Sequence, residues 1–214
     1  MTRLIDAGLE QIANMVFRMG ELAYKTLSMS LEGYIVGFSA INEIRNLSDT
    51  LVEMAEDVED KVFEVIARFQ PVASDLRFLK SYMKISYDLT RYGRYALDVS
   101  QIYEKLEGIR NCENWLKEDI TSMSEKVLKM VCTSIDSLKD HDVKLAMTLS
   151  ETEKQVDEMY FTYLDKLLDK TSTTNICTIS SVLVVRYLER IADHATYMGE
   201  SIIYLATGDK VTLG

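Results

Sequence analysis

Four carboxylates stand out by their spacing. Glu153 and Asp157 lie four residues apart, as do Glu189 and Asp193. On a helix that spacing puts both members of a pair on one face. The first pair falls on the apolar stripe that runs Leu149, Val156, Tyr160, Leu164. The second continues the stripe Ile179, Val182, Val185. Two antiparallel helices carrying these pairs can aim four acids at one place. Desolvated like charges repel unless they take up protons or meet a cation. An all-oxygen donor set of this kind suits Mg, Ca, Mn, Fe or Zn. The competing reading is that the acids reach solvent or pair with Lys154, Arg186 or Arg190.

Other chemistries find less support. A ferritin-like di-iron centre needs Glu-x-x-His pairs, but Leu138 precedes His141 by three residues and Ile191 precedes His194. The sequence assigns His194 an exposed or capping role, with auxiliary ligation as the alternative. Neither histidine has a neighbouring serine or cysteine in sequence, so a hydrolytic triad lacks local support. Cys112, Cys132 and Cys177 are odd in number, widely spaced and without a C-x-x-C. They read as reduced thiols of a cytoplasmic protein.

The elements that must position the acids are helices. Apolar residues recur at helical spacing almost throughout, as in Leu51, Met54, Val58, Val62, Val65 and Phe69. The 214 residues contain one proline and nine glycines, too few for a turn-rich β fold. A composition 47% hydrophobic and 27% charged is that of a globular protein. Breaks at Glu32-Gly33, Gln70-Pro71, Glu107-Gly108, Lys139–Asp142 and Thr171–Asn175 leave six segments of roughly 25 to 35 residues joined by short loops. The second runs from about Tyr34 to Gln70, and Pro71 opens the third.

The pattern repeats. Asp88–Ala96, DLTRYGRYA, matches Tyr187–Ala195, YLERIADHA, at an offset of 99. Charge divides evenly between the halves. The expected fold is all-α: two pseudo-symmetric antiparallel three-helix bundles, residues 1–108 and 109–214.

The net charge of −10 argues against nucleic-acid binding. The first residues carry Asp6 and Glu10 where a signal peptide would be apolar. No stretch approaches the ~18 apolar residues of a membrane span, so membrane association is expected only through a partner. Asp49, Glu53, Glu56, Asp57, Asp60 and Glu64 read as a solvated acidic face. Arg77, Lys80, Lys84 and Arg91 are expected to pair with it across neighbouring helices, with phosphate binding as the alternative. The 12 tyrosines and 11 methionines are mainly core filler.

Three stretches resemble the PhoU family of phosphate-uptake regulators. They are FRMGELA (17–23), RFQPVASDLRFLK (68–80) and YLERIADHATYMGESIIYLATGD (187–209). The resemblance spans essentially the whole chain and implies duplicated three-helix bundles. It also implies polynuclear metal clusters, of iron or zinc, held by E(D)-x-x-x-D motifs on the second and third helices of each repeat. The second repeat has both motifs, in Glu153, Asp157, Glu189 and Asp193. At the matching positions of the first stand Ser48, Val52, Thr90 and Arg94. The expectation is therefore one metal site, in the C-terminal half. Arg94 reads either as a fixed charge in place of the cation or as an outward surface residue.

The implied function is regulation of phosphate uptake and phosphate signalling, without catalysis, through binding to the ATPase subunit of a phosphate ABC transporter, a sensor histidine kinase, or both. The loss of ligands in the first repeat raises a divergent paralogue as a variant of this reading. A carboxylate-bridged metalloenzyme and a metal-free helical adaptor are the alternatives. The oligomeric state is open, a homodimer included.

Overall fold

The structure is a computed structural model that describes residues 3–170 and 175–214. Among these described residues run six long helices: α1 (Asp6–Glu32), α2 (Ile41–Phe69), α3 (Ala73–Leu106), α4 (Asn114–Lys139), α5 (Val143–Lys170) and α6 (Ile176–Thr207). No strand occurs among the described residues. Helices α1, α2 and α3 pack on one another, and so do α4, α5 and α6. The two trios join mainly where α3 lies against α6, with a smaller contact of α1 with α4. The all-α arrangement of two three-helix bundles is as the periodicity requires. One apolar core runs through both bundles, from Ile12 and Leu27 through Leu89 and Tyr92 to Leu188 and Met198. Gly108 therefore does not separate two cores.

Several boundaries differ from the sequence reading. Helix α1 does not stop at Gly33 but continues as a π turn over Gly33–Gly37, closed where the Phe38 N–H donates to the Gly33 carbonyl at 3.0 Å. The chain becomes extended at Phe38, so α2 starts at Ile41 and not near Tyr34. Pro71 does not open α3. It follows Gln70, which ends α2 in a left-handed conformation (φ 47°), and precedes the cap residue Val72. Asp75 holds the helix start by accepting the Val72 N–H at 3.1 Å. The same carboxylate accepts two bonds from Arg3, at 2.9 and 3.1 Å. Phe69 ends the α2 stripe exposed instead of buried. Of the break placed at Thr171–Asn175, residues 171–174 lie outside the described residues. Asn175 caps α6, its side-chain oxygen accepting the Thr178 N–H at 2.9 Å.

The link between the bundles is tight. A Cβ on Gly108 would stand 2.1 Å from the Tyr34 carbonyl oxygen, so only glycine fits there. The next residue, Ile109, donates its N–H to that oxygen at 3.3 Å. Cys112, in the same connection, forms a disulfide with Cys177 in the first turn of α6, across 65 residues. This overturns the reading of three reduced thiols. The partners are remote in sequence, and only the fold of the α3–α4 connection beneath α6 brings them together. Cys132 is free and exposed.

Candidate metal centre

The four acids stand on α5 and α6, which pack side by side. Glu153 is buried, while Asp157, Glu189 and Asp193 are partly so. Burial pushes the Glu153 carboxyl above the ordinary range, and the charges of Asp157, Asp193 and Glu189 add to the shift. Glu189 is raised by burial and then by Asp193, against the pull of Arg186. Asp193 is raised by burial and by Asp157. The acids of both helices thus act on one another.

Glu189 is at once paired and unsatisfied. One oxygen accepts from Arg186 at 2.6 Å. The other, Oε2, is buried without a partner, which is costly for a carboxylate oxygen. A cation would satisfy that oxygen and relieve the mutual repulsion, so the donor set fits a hard or borderline metal. Among the described residues, no three His, Cys, Asp or Glu side chains close on one point as a ready cage. Gly214 passes along the edge of the cluster: a Cβ there would be 3.3 Å from Glu153 Oε1.

The matching surface of α2 and α3 is of another kind. Ser48 is fully buried with its hydroxyl unpartnered. Thr90 donates its hydroxyl to the Ser86 carbonyl. Arg94 takes the surface role, donating to Asp49 at 3.1 Å with both side chains substantially exposed.

His194 is neither exposed nor at a helix cap. It is 9% exposed, and its Nδ1 lies 2.8 Å from Asp88 Oδ1 on α3. Its Nε2 lies 3.3 Å from the Tyr95 hydroxyl. That hydroxyl already accepts from Arg91 at 3.0 Å and Arg190 at 3.1 Å. With both lone pairs engaged, Tyr95 donates its proton to Nε2, and Nδ1–H points to Asp88. This places a ring proton on Nδ1, facing Asp88, and makes Nε2 the acceptor. Burial pushes the Asp88 carboxyl up, and His194 opposes the shift. The sequence reading passed over Asp88. The available signal was the one that marked Glu153, an acid on the apolar stripe that includes Leu89, Tyr92 and Ala96.

Of the basic residues of α3, Arg94 answers the acidic face of α2 through Asp49, whereas Lys80, Lys84 and Arg91 turn elsewhere. Lys84 lies 3.9 Å from Glu200 and over the Tyr197 ring, and Lys80 lies over the Tyr204 ring, all on α6. Arg91 goes to Tyr95. Helix α3 is the central element, packed on α1, α2 and α6, so this face meets the other bundle. The acids of α2 are mostly exposed, as a solvated face requires.

Fold and site together define an all-α protein of two packed three-helix bundles, with a cluster of partly buried carboxylates on the second. The chain belongs to the PhoU family, whose PhoU domain model matches residues 16–103 and 120–202. A phosphate-specific transport system accessory protein PhoU homolog from Clostridium acetobutylicum is 31% identical, covering 100% of this chain and 99% of that one. The crystal structure of PhoU from Pseudomonas aeruginosa superimposes with a TM-score of 0.88 at 28% identity, covering 95% of this chain and 99% of that one. A phosphate transport system regulatory protein PhoU from Streptococcus pneumoniae shares the fold, with a TM-score of 0.84 at 21% identity and coverage of 97% and 99%.

Proposed function

We propose that this chain is an accessory regulator of phosphate transport and phosphate signalling that works by binding and not by catalysis. The observation that carries this is the end-to-end match to a protein named as an accessory of the phosphate-specific transport system. Its partners in this proposal are the ATPase subunit of a phosphate ABC transporter, a sensor histidine kinase, or both, met on the cytoplasmic side. No described helix is long and apolar enough to cross a membrane, in keeping with attachment through a partner.

Residues 1–108 and 109–214 act as two repeats of one three-helix unit. The family matches stop on either side of Gly108, at 103 and 120, which supports that division. Only the second repeat has the acids. Glu153, Asp157, Glu189 and Asp193 would hold a metal, iron or zinc, in one or more ions. Bound there, the metal supplies positive charge that neutralises the cluster. The carboxylates on α5 and α6 would then be tied together, fixing the surface the second bundle offers to a partner.

The test is recovery of a tagged chain, with crosslinking, from its own cells grown in high and in low phosphate. Transporter ATPase or sensor kinase is expected with it in at least one condition. Neither in either condition contradicts the proposal.

A further inference from the structure

A cavity of about 180 Å³ lies between α3 and the end of α6, lined by Lys80, Ser81 and Lys84 of α3, by Glu200, Ser201 and Tyr204 of α6, and by Lys210 and Val211 beyond it. Sites for drug-sized organic ligands run from ~300 to 1,000 Å³, so this space suits a small ion. Its chemistry is that of an anion site. Three lysines line it, against one carboxylate. That carboxylate, Glu200, is engaged twice: Lys84 lies 3.9 Å away, and the Leu213 N–H donates to it at 3.1 Å. Among the described residues, Lys80 and Lys210 have no carboxylate partner. Lys80 is instead seated over the Tyr204 ring, 5.3 Å from its centre.

The second observation is Ser81. It is 2% exposed, and its hydroxyl has no hydrogen-bond partner. On the same helices the buried hydroxyls of Ser86 and Ser201 turn back to the Met83 and Tyr197 carbonyls. A buried hydroxyl free to donate, in a cavity lined by three lysines, completes a donor set suited to an oxyanion. The net charge of −10 does not forbid this, because screening confines distant charges to within about 8 Å at physiological salt.

We propose that this cavity binds a small tetrahedral oxyanion of the phosphate class, held by Lys80, Lys84, Lys210 and the Ser81 hydroxyl. The site deepens the phosphate-regulator reading, which supplies its purpose. It is independent of the carboxylate cluster.

The experiment is calorimetric titration and thermal unfolding of the purified chain with inorganic phosphate, with sulfate and chloride at matched ionic strength. Saturable phosphate binding is expected, with chloride inactive and sulfate as a second tetrahedral probe. Lys80→Gln with Lys84→Gln should weaken phosphate about tenfold or more. Ser81→Ala should weaken it about threefold, while its melting temperature in chloride stays unchanged, since it removes only an unpartnered hydroxyl. Equal responses to phosphate and chloride overturn the proposal, as does undiminished binding by the double-lysine variant. Titration of the chain alone does not depend on its partners, so failure here is separate from failure of the co-purification.

Discussion

Tyr95 and His194 stand 99 residues apart at matching positions of α3 and α6, and their side chains meet at 3.3 Å. Matched residues that touch lie on the axis relating the two halves. Their neighbours follow the same relation. Asp88 reaches His194, while Tyr187, the counterpart of Asp88, packs on Tyr95 with ring centres 5.7 Å apart. Arg91 and its counterpart Arg190 both donate to the Tyr95 hydroxyl. Each half gives one tyrosine to the set: Asp88 and Tyr95 come from the first, Tyr187 and His194 from the second. Replacing His194 with Phe strands the Asp88 carboxylate, whose Oδ2 is already unpartnered. The expected cost is about 3 kcal/mol or more in urea unfolding, largely recovered when Asp88→Asn is added. A cost below about 1 kcal/mol contradicts the paired assignment.

Stability without metal should depend on pH through Glu153, Glu189 and Asp193. Their carboxyls are raised, so between the ordinary value near 4 and the raised ones the folded chain binds more protons than the unfolded chain. Stability therefore rises as pH falls through that window. Thermal unfolding of the wild type should gain on a Glu153→Gln, Glu189→Gln, Asp193→Asn variant between pH 7 and about pH 5. Asp88 and Asp98, also raised, and Asp75 and Glu64, lowered, are common to both proteins and cancel. Parallel pH profiles contradict the mutual repulsion.

Gly93 marks a close approach of α3 to α2. A Cβ there would meet Leu51 Cδ1 at 2.6 Å and the Ser48 Cα at 3.4 Å. Its counterpart on α6 is Ala192. Gly93→Ala should destabilise by about 1 to 3 kcal/mol from overpacking, despite the better helix propensity of alanine. A stabilised variant in chemical denaturation refutes the close approach.

The Cys112–Cys177 bridge closes a long loop. Cys112→Ser should lower the unfolding free energy by about 2 to 4 kcal/mol. The denatured, unreduced wild type should react with one equivalent of thiol reagent, at Cys132. Three reactive thiols rule the bridge out.

The helices were legible because periodicity is a local signal, and α3 to α6 begin and end within a few residues of the expected breaks. Contacts between the bundles were not. The sequence pattern pairs Lys80 and Lys84 with the acidic face of α2, but α3 turns them toward α6. Asp88 finds His194 across 106 residues, and Cys112 finds Cys177 across 65. The carboxylates of α5 and α6 were legible for a local reason, their spacing within each helix. What each oxygen faces, such as Arg186 at Glu189, is settled only by rotamer and packing.

The chemical difference between the halves is tested most directly by elemental analysis of the protein purified without chelator or added metal. Iron or zinc at one or more per chain is expected. Glu189→Ala with Asp193→Ala should abolish it, and substitution of Ser48 and Thr90 by alanine should leave it intact. Metal at background in the wild type, or loading unchanged by loss of Glu189 and Asp193, contradicts a metal centre on α5 and α6.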